Sequence, residues 1–405
     1  MKKTVLLLIL VVIFAACEKE ATMPEKKGKE KVTIPKISWS WDNPGELRAL
    51  CVYLEFQKDA TTTKEVEELW HNAARIMIPY KGILKMLKCN YGPNKAETEE
   101  LIQALQNNPE YCDFAELKPG IDYFLTKGRA VCVDIHEFVG YFQYTTTSEE
   151  EKDASLFADD YKQVLLREFE LQLAQFLQKN YAAQVKAGNL CLELLNEPKN
   201  DLWESIQLSL AREISQKFPE LCLAVRPNQS YSIDCLRTTW FEPADYQGIR
   251  HLTFINFWFM ERPDLGASPV DFTIQYDKFV QKRNGEEVTF NVFGGEAVGF
   301  YSGKKYRLSK ELLKTEFELG RDWAKKNKEN IFFAELSCIR YADPQGQYFL
   351  SCLKFGQDQG IGIALFEVGA QYFFDFQGDV PYYLNDPDWA GFKYLQMSPE
   401  EIETQ

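Results

Sequence analysis

The sequence predicts an α/β chain closed into a (β/α)8 TIM barrel, and three observations carry that prediction. Short apolar runs alternate with longer amphipathic segments from Ala74 to Leu365. The runs are apolar at both parities, as strands of a parallel sheet covered by helices are. No Gly-x-Gly-x-x-Gly follows the first run, so nothing points to a doubly wound dinucleotide fold. Eight alternations over this length favour closure into one barrel rather than an open sheet.

The elements follow in order. Thr62 to Asn72 has helical spacing and leads into an apolar run from Ala74 to Pro79. Leu117 to Leu125 leads into Ala130 to His136. The stretch 157–180 places Leu166, Phe169, Leu173, Phe176 and Leu177 on one helical face, and a run from Leu190 to Leu195 follows it. Asp201 stands where it would cap a helix with Leu202, Ile206, Leu210 and Ile214 at four-residue steps. Cys222 to Val225 and Leu252 to Ile255 come next. A helix over 309–327 precedes Asn330 to Ala334, and one over 345–358 precedes Gly360 to Leu365. These are the last seven strands of the barrel. The first must precede them, near Lys36–Trp39 or near Leu50–Tyr53.

The N-terminus reads differently. Met1-Lys2-Lys3 is basic, Val5 to Phe14 is an unbroken apolar run, and Ala15-Ala16-Cys17 follows. The run is shorter than the roughly 20 residues a spanning helix needs, and the pattern is that of a secretory signal. Phe14-Ala15-Ala16-Cys17 resembles a bacterial lipobox, which implies cleavage before Cys17 and lipidation of its thiol. Residues 17–32 then read as a charged tether with almost nothing to pack, and 33–405 as one catalytic domain. A lipid-anchored position in the cell envelope follows as an expectation.

Composition excludes some partners. A net charge of -14 argues against nucleic acid, which calls for a basic face. The aromatic share of 14% suits both a core and the stacking of sugar rings. No Cys-x-x-Cys occurs, and His71, His136 and His251 have no metal-ligand spacing, so neither a metal nor another cofactor is indicated. Cys132, Cys191 and Cys222 lie inside strand-like runs, where a free cysteine behaves as a small hydrophobe.

In a barrel of this kind the site lies at the C-terminal ends of the strands. The third strand runs into Asp134-Ile135-His136, the fourth into Asn196-Glu197-Pro198, and the seventh into Glu335. The sixth ends in Asn256-Phe257-Trp258 and the eighth in Phe366-Glu367. Two glutamates at one barrel mouth suit glycoside hydrolysis, which needs a proton donor and a carboxylate facing the anomeric carbon. Trp258 and Phe366 are candidates for sugar stacking, and plain core packing is the alternative for each.

The segment 160–198 and the strand-end order Asp-x-His, Asn-Glu-Pro, glutamate resemble glycoside hydrolase family 5, the cellulase family, over roughly residues 60–370. The resemblance implies a retaining hydrolase of β-linked glycans of the glucan or mannan type. It makes Glu197 the acid/base and Glu335 the nucleophile, with the carboxyls about 5–5.5 Å apart. Asn196 would bond the sugar 2-hydroxyl, with His136, Asn256, Trp258 and Phe366 also lining the substrate. Three departures stand out. Met77 occupies the place of the family's second-strand arginine, with Arg75 two residues earlier; Asn256-Phe257-Trp258 replaces a His-x-Tyr beside the nucleophile; and Phe366 replaces a tryptophan. A missing arginine would leave the Glu335 pKa less depressed. The alternative function is a weak or inactive glycan-binding lipoprotein on the same barrel.

Overall fold

The structure is a computed structural model. It describes residues 33–405 except 59, 91, 142–154, 229, 231–232, 238–240, 258–277, 284–285, 292–298, 302–303, 307–309, 337–345 and 369–388. Cys17, the signal and tether segments, and Trp258 therefore lie outside the described residues.

Eight parallel strands close into a barrel. In chain order the strands are β1 (Arg48–Tyr53), β2 (Ala73–Ile78), β3 (Ala130–Ile135), β4 (Leu190–Glu193), β5 (Cys222–Val225) and β6 (His251–Phe257). Two antiparallel pairs follow, β7 (Lys278–Arg283) with β8 (Glu286–Asn291) and β9 (Gly299–Tyr301) with β10 (Lys304–Tyr306). The seventh and eighth barrel strands are β11 (Ile331–Leu336) and β12 (Gly362–Val368), and β12 pairs with β1 to complete the ring. The first barrel strand is thus the second of the two candidates. Neither antiparallel pair is among the strands expected from the sequence, although Asn284-Gly285 between Lys278–Arg283 and Glu286–Asn291 is a hairpin signal.

The other candidate, the segment before β1, closes the N-terminal end of the barrel instead. The Trp41 amide donates to Gly188 O at 2.8 Å and its indole to Val131 O at 3.0 Å. Its ring packs edge-on against Phe332 and at a tilt against Phe254. Gly188 has φ +72, and a Cβ there would meet the Ser40, Asp42 and Arg250 side chains, so only glycine fits this approach.

Room for these three rings comes from small neighbours. Cys132, Cys191 and Cys222 stand side by side in register on β3, β4 and β5, and Ala49, Ala73, Ala130 and Ala364 share the same interior cluster. Large and small residues interdigitate, as a filled barrel requires. All eight cysteines among the described residues are free. Outside the ring, Leu166, Phe169, Leu173 and Leu177 of the helix Asp160–Lys186 are buried. Asp201 does not cap the next helix, which begins at Trp203 without a side-chain cap. Its Oδ1 instead accepts from Asn228 Nδ2 at 2.8 Å, which ties the loop after β4 to the loop after β5.

Candidate active site

Alternation along each strand decides which side chains enter the barrel. On β2, Ala73 and Met77 face the interior cluster, so Arg75 between them does as well. Asp134, Glu193 and Asn256 point inward by the same parity from β3, β4 and β6, next to the inward Cys132, Cys191 and Phe254. Arg226, one residue past β5, continues its inner face beyond Cys222 and Ala224. Glu335 reaches the interior through an irregularity. Phe333 pairs with Ile255 but Glu335 pairs with Asn256, so Ala334 is an extra residue in β11. Such a bulge re-aims the next side chain, and Ala334 and Glu335 both turn inward.

Arg75 is the hub of the site. It is fully buried, and its Nε and Nη2 donate to the two oxygens of Glu193 at 2.7 and 2.9 Å. Nη2 also meets Asn196 Oδ1 and Asp134 Oδ2, each at 2.9 Å, and Nη1 donates to Glu335 Oε1 at 2.8 Å. This corrects the expectation drawn from Met77. The guanidinium is present at the carboxylate of Glu335, supplied from one pleat repeat deeper in the barrel by a side chain long enough to reach. The buried arginine is satisfied on every nitrogen, which a charge in such a place demands.

Asn256 stands beside Glu335 in register, as expected, but its side chain serves the other glutamate: the amide nitrogen donates to Glu197 Oε1 at 2.5 Å. Glu197 itself has a φ of +40, left-handed backbone that is uncommon outside glycine. The Tyr141 hydroxyl donates to its carbonyl oxygen, and Lys199 Nζ stands 3.7 Å from Oε2. His136 Nδ1 bonds Asp134 Oδ2 at 2.9 Å, while Nε2 lies 3.5 Å from Asn196 Nδ2. Phe366 lies in the interior cluster, buried with 7% exposure.

Four carboxyl groups (Asp134, Glu193, Glu197, Glu335) share the network with two guanidinium groups, Arg75 and Arg226. Lys199, 3.7 Å from Glu197 Oε2, is a third cation at the edge of this network, and His136 stands against Asp134. Burial pushes Glu335 up from the ordinary carboxylate range, the charge of Glu197 adds to this, and Arg75 opposes it. Burial raises Asp134 likewise, again against Arg75. On Glu193 the two arginines together outweigh burial and hold the carboxyl low. Burial lowers His136, but the neighbouring Asp134 outweighs it and leaves the imidazole raised. The expected weaker depression of Glu335 becomes an outright rise, and its cause is burial rather than a lost arginine.

Four residues of this network were not singled out as site residues from the sequence: Arg75, Asp134, Glu193 and Arg226. Each is a charged side chain inside or directly after an apolar strand run. Such a residue must be paired when buried, and that was the signal available.

No family model matches this sequence, and no curated protein matches it. Solved structures do. A hyperthermophilic endo-β-1,4-glucanase in complex with substrate superposes with TM-score 0.52 at 16% identity, covering 87% of this chain and 98% of the other. Thermotoga maritima Cel5A in complex with cellobiose gives 0.52 at 15% identity, covering 88% and 99%. The family 5 xyloglucanase from Paenibacillus pabuli gives 0.51 at 11%, covering 89% and 97%. The barrel is family 5-like in fold. At these identities the likeness is one of chain path and supplies no residue roles, so the chemistry has to come from the network itself.

Proposed function

We propose that this chain is a retaining glycoside hydrolase acting on β-linked glycan, with Glu335 as nucleophile and Glu197 as acid/base. One observation carries the reading. Two glutamates from separate strand ends meet in one buried network, each with one oxygen held by a different donor, Arg75 on Glu335 and Asn256 on Glu197.

The chemistry follows from that division. Arg75 Nη1 holds Oε1 of Glu335 and favours its ionised form, the form that attacks the anomeric carbon. The carboxylate forms a bond to that carbon as the glycosidic C–O bond breaks, and the leaving oxygen takes the proton of Glu197. Glu197, now ionised, removes a proton from water. The water oxygen bonds to the anomeric carbon, and Glu335 is released as carboxylate. His136 and Asn196, tied to Asp134 and Arg75, would line the sugar-binding side, with Asn196 Nδ2 offered to a sugar hydroxyl. Phe366 and Trp258 are proposed as stacking contacts.

The alternative, a glycan-binding protein without chemistry, draws support from two departures, the second-strand arginine and the sixth-strand histidine. Arg75 at Glu335 answers the first, while Asn256 still stands in place of the histidine. Release of reducing ends from a panel of β-glucans, mannans and xylans tests the reading. Wild type should act on at least one, and Glu335→Ala on none. Activity that survives Glu335→Ala refutes the assignment. We propose further that Cys17 is lipidated after removal of residues 1–16, that 17–32 form the tether, and that the enzyme is held at the cell envelope.

A further inference from the structure

We propose that Arg226 is a positioning residue for Glu197: through Asn256 it fixes which carboxyl oxygen of Glu197 carries the transferable proton. The inference rests on the acid/base role proposed above for Glu197.

Arg226 is held from both sides. Its backbone N–H donates to Gln207 Oε1 at 2.7 Å, and its carbonyl accepts from Gln207 Nε2 and Trp203 Nε1, each at 3.0 Å. Its side chain is fully buried, and Nε donates to Glu193 Oε1, the carboxyl that Arg75 grips from the other side. With the guanidinium fixed in this way, Nη1 donates to Asn256 Oδ1 at 2.9 Å. The Asn256 backbone N–H is anchored separately on Ser230 O at 2.7 Å.

An amide can face two ways, and its orientation has to come from its partners. Here the partners decide it. A guanidinium has donors only, so the side of Asn256 that meets Arg226 must be the carbonyl oxygen. The side that meets Glu197 must then be the NH2 group, which donates to Oε1. Oε1 already accepts this N–H at hydrogen-bond distance, which makes it the poorer site for a proton, whereas Lys199 Nζ stands 3.7 Å from Oε2. The transferable proton therefore belongs on Oε2, and Arg226 sets this without touching Glu197 or the substrate. Were the amide free to turn, its oxygen could accept the proton of Glu197 and withhold it from the leaving group.

The test compares aryl β-glycosides of one sugar with good and poor leaving groups. General acid catalysis contributes about 10²–10⁴-fold in rate, and lost positioning should forfeit part of it. Arg226→Met should lower kcat/KM on the poor leaving group by about ten- to a hundredfold. On the dinitrophenyl glycoside, whose departure needs no proton, the loss in kcat/KM should be at least about tenfold smaller. Asn256→Ala should show the same split, and the double variant should be no worse than either single one, because the two act in series. Should Arg226→Met fail to fold, Asn256→Ala carries the comparison. Equal losses on both leaving groups, or additive losses in the double variant, overturn the role of Arg226. A wild-type protein that turns over neither glycoside overturns the hydrolase reading, and this inference with it.

Discussion

At the scale of single residues, Arg75 and Glu335 decide how the site responds to pH. Burial raises the pKa of Glu335, and Arg75 is the largest influence holding it down. Nucleophilic attack needs the ionised form, so activity should fall as pH drops through this raised pKa. The acidic limb of kcat/KM should lie above the value of about 4.3 for a free glutamate. Arg75→Lys keeps a charge but cannot serve Glu193, Asn196, Asp134 and Glu335 together. It should move the limb further up and cost at least about tenfold in activity at pH 5, the equivalent of one pKa unit. A wild-type limb at or below 4.3 would contradict this account of Glu335. The two glutamates were legible as strand-end residues, and the family resemblance gave their expected roles. Arg75 stands two residues before Met77, the place where the family resemblance puts its arginine, and parity turns both residues into the barrel.

Among elements, the strand order and most helix positions were legible because apolar periodicity reports burial directly. The bulge in β11 was not, because nothing in Phe332-Phe333-Ala334-Glu335 marks an extra residue. Regular alternation from Phe332 would have turned Glu335 outward. Only pairing with the neighbouring strand shows otherwise. The helix Asp160–Lys186 holds a second hidden feature, Glu170, which is fully buried with neither carboxyl oxygen bonded among the described residues. Burial pushes its pKa well up. The folded state then keeps a proton that the unfolded state releases above its own pKa. Stability should therefore fall as pH rises from about 4.3 toward the raised value. Glu170→Met removes this penalty and should stabilise the protein at neutral pH by about 1–3 kcal/mol. Urea unfolding at pH 5 and pH 7.5 checks it: the gain should be larger at pH 7.5. An equal gain at both, or a loss, would show that Glu170 has a role beyond filling space.

For the whole molecule, a barrel closed at its N-terminal end by Trp41 leaves the C-terminal mouth as the place for chemistry. The basic start and the Ala15-Ala16-Cys17 sequence predict that Cys17→Ala moves the protein from the membrane fraction to the soluble one. Wild type already soluble after lysis would contradict the anchor. The mechanism proposed for this mouth requires a covalent bond between Glu335 and the sugar. Incubation with 2,4-dinitrophenyl 2-deoxy-2-fluoro-β-cellobioside and the corresponding β-mannobioside, followed by peptide mass spectrometry, tests it most directly. One of the two probes should release dinitrophenol and leave a glycosyl ester on Glu335. An adduct on another residue, or release without an adduct, would contradict it.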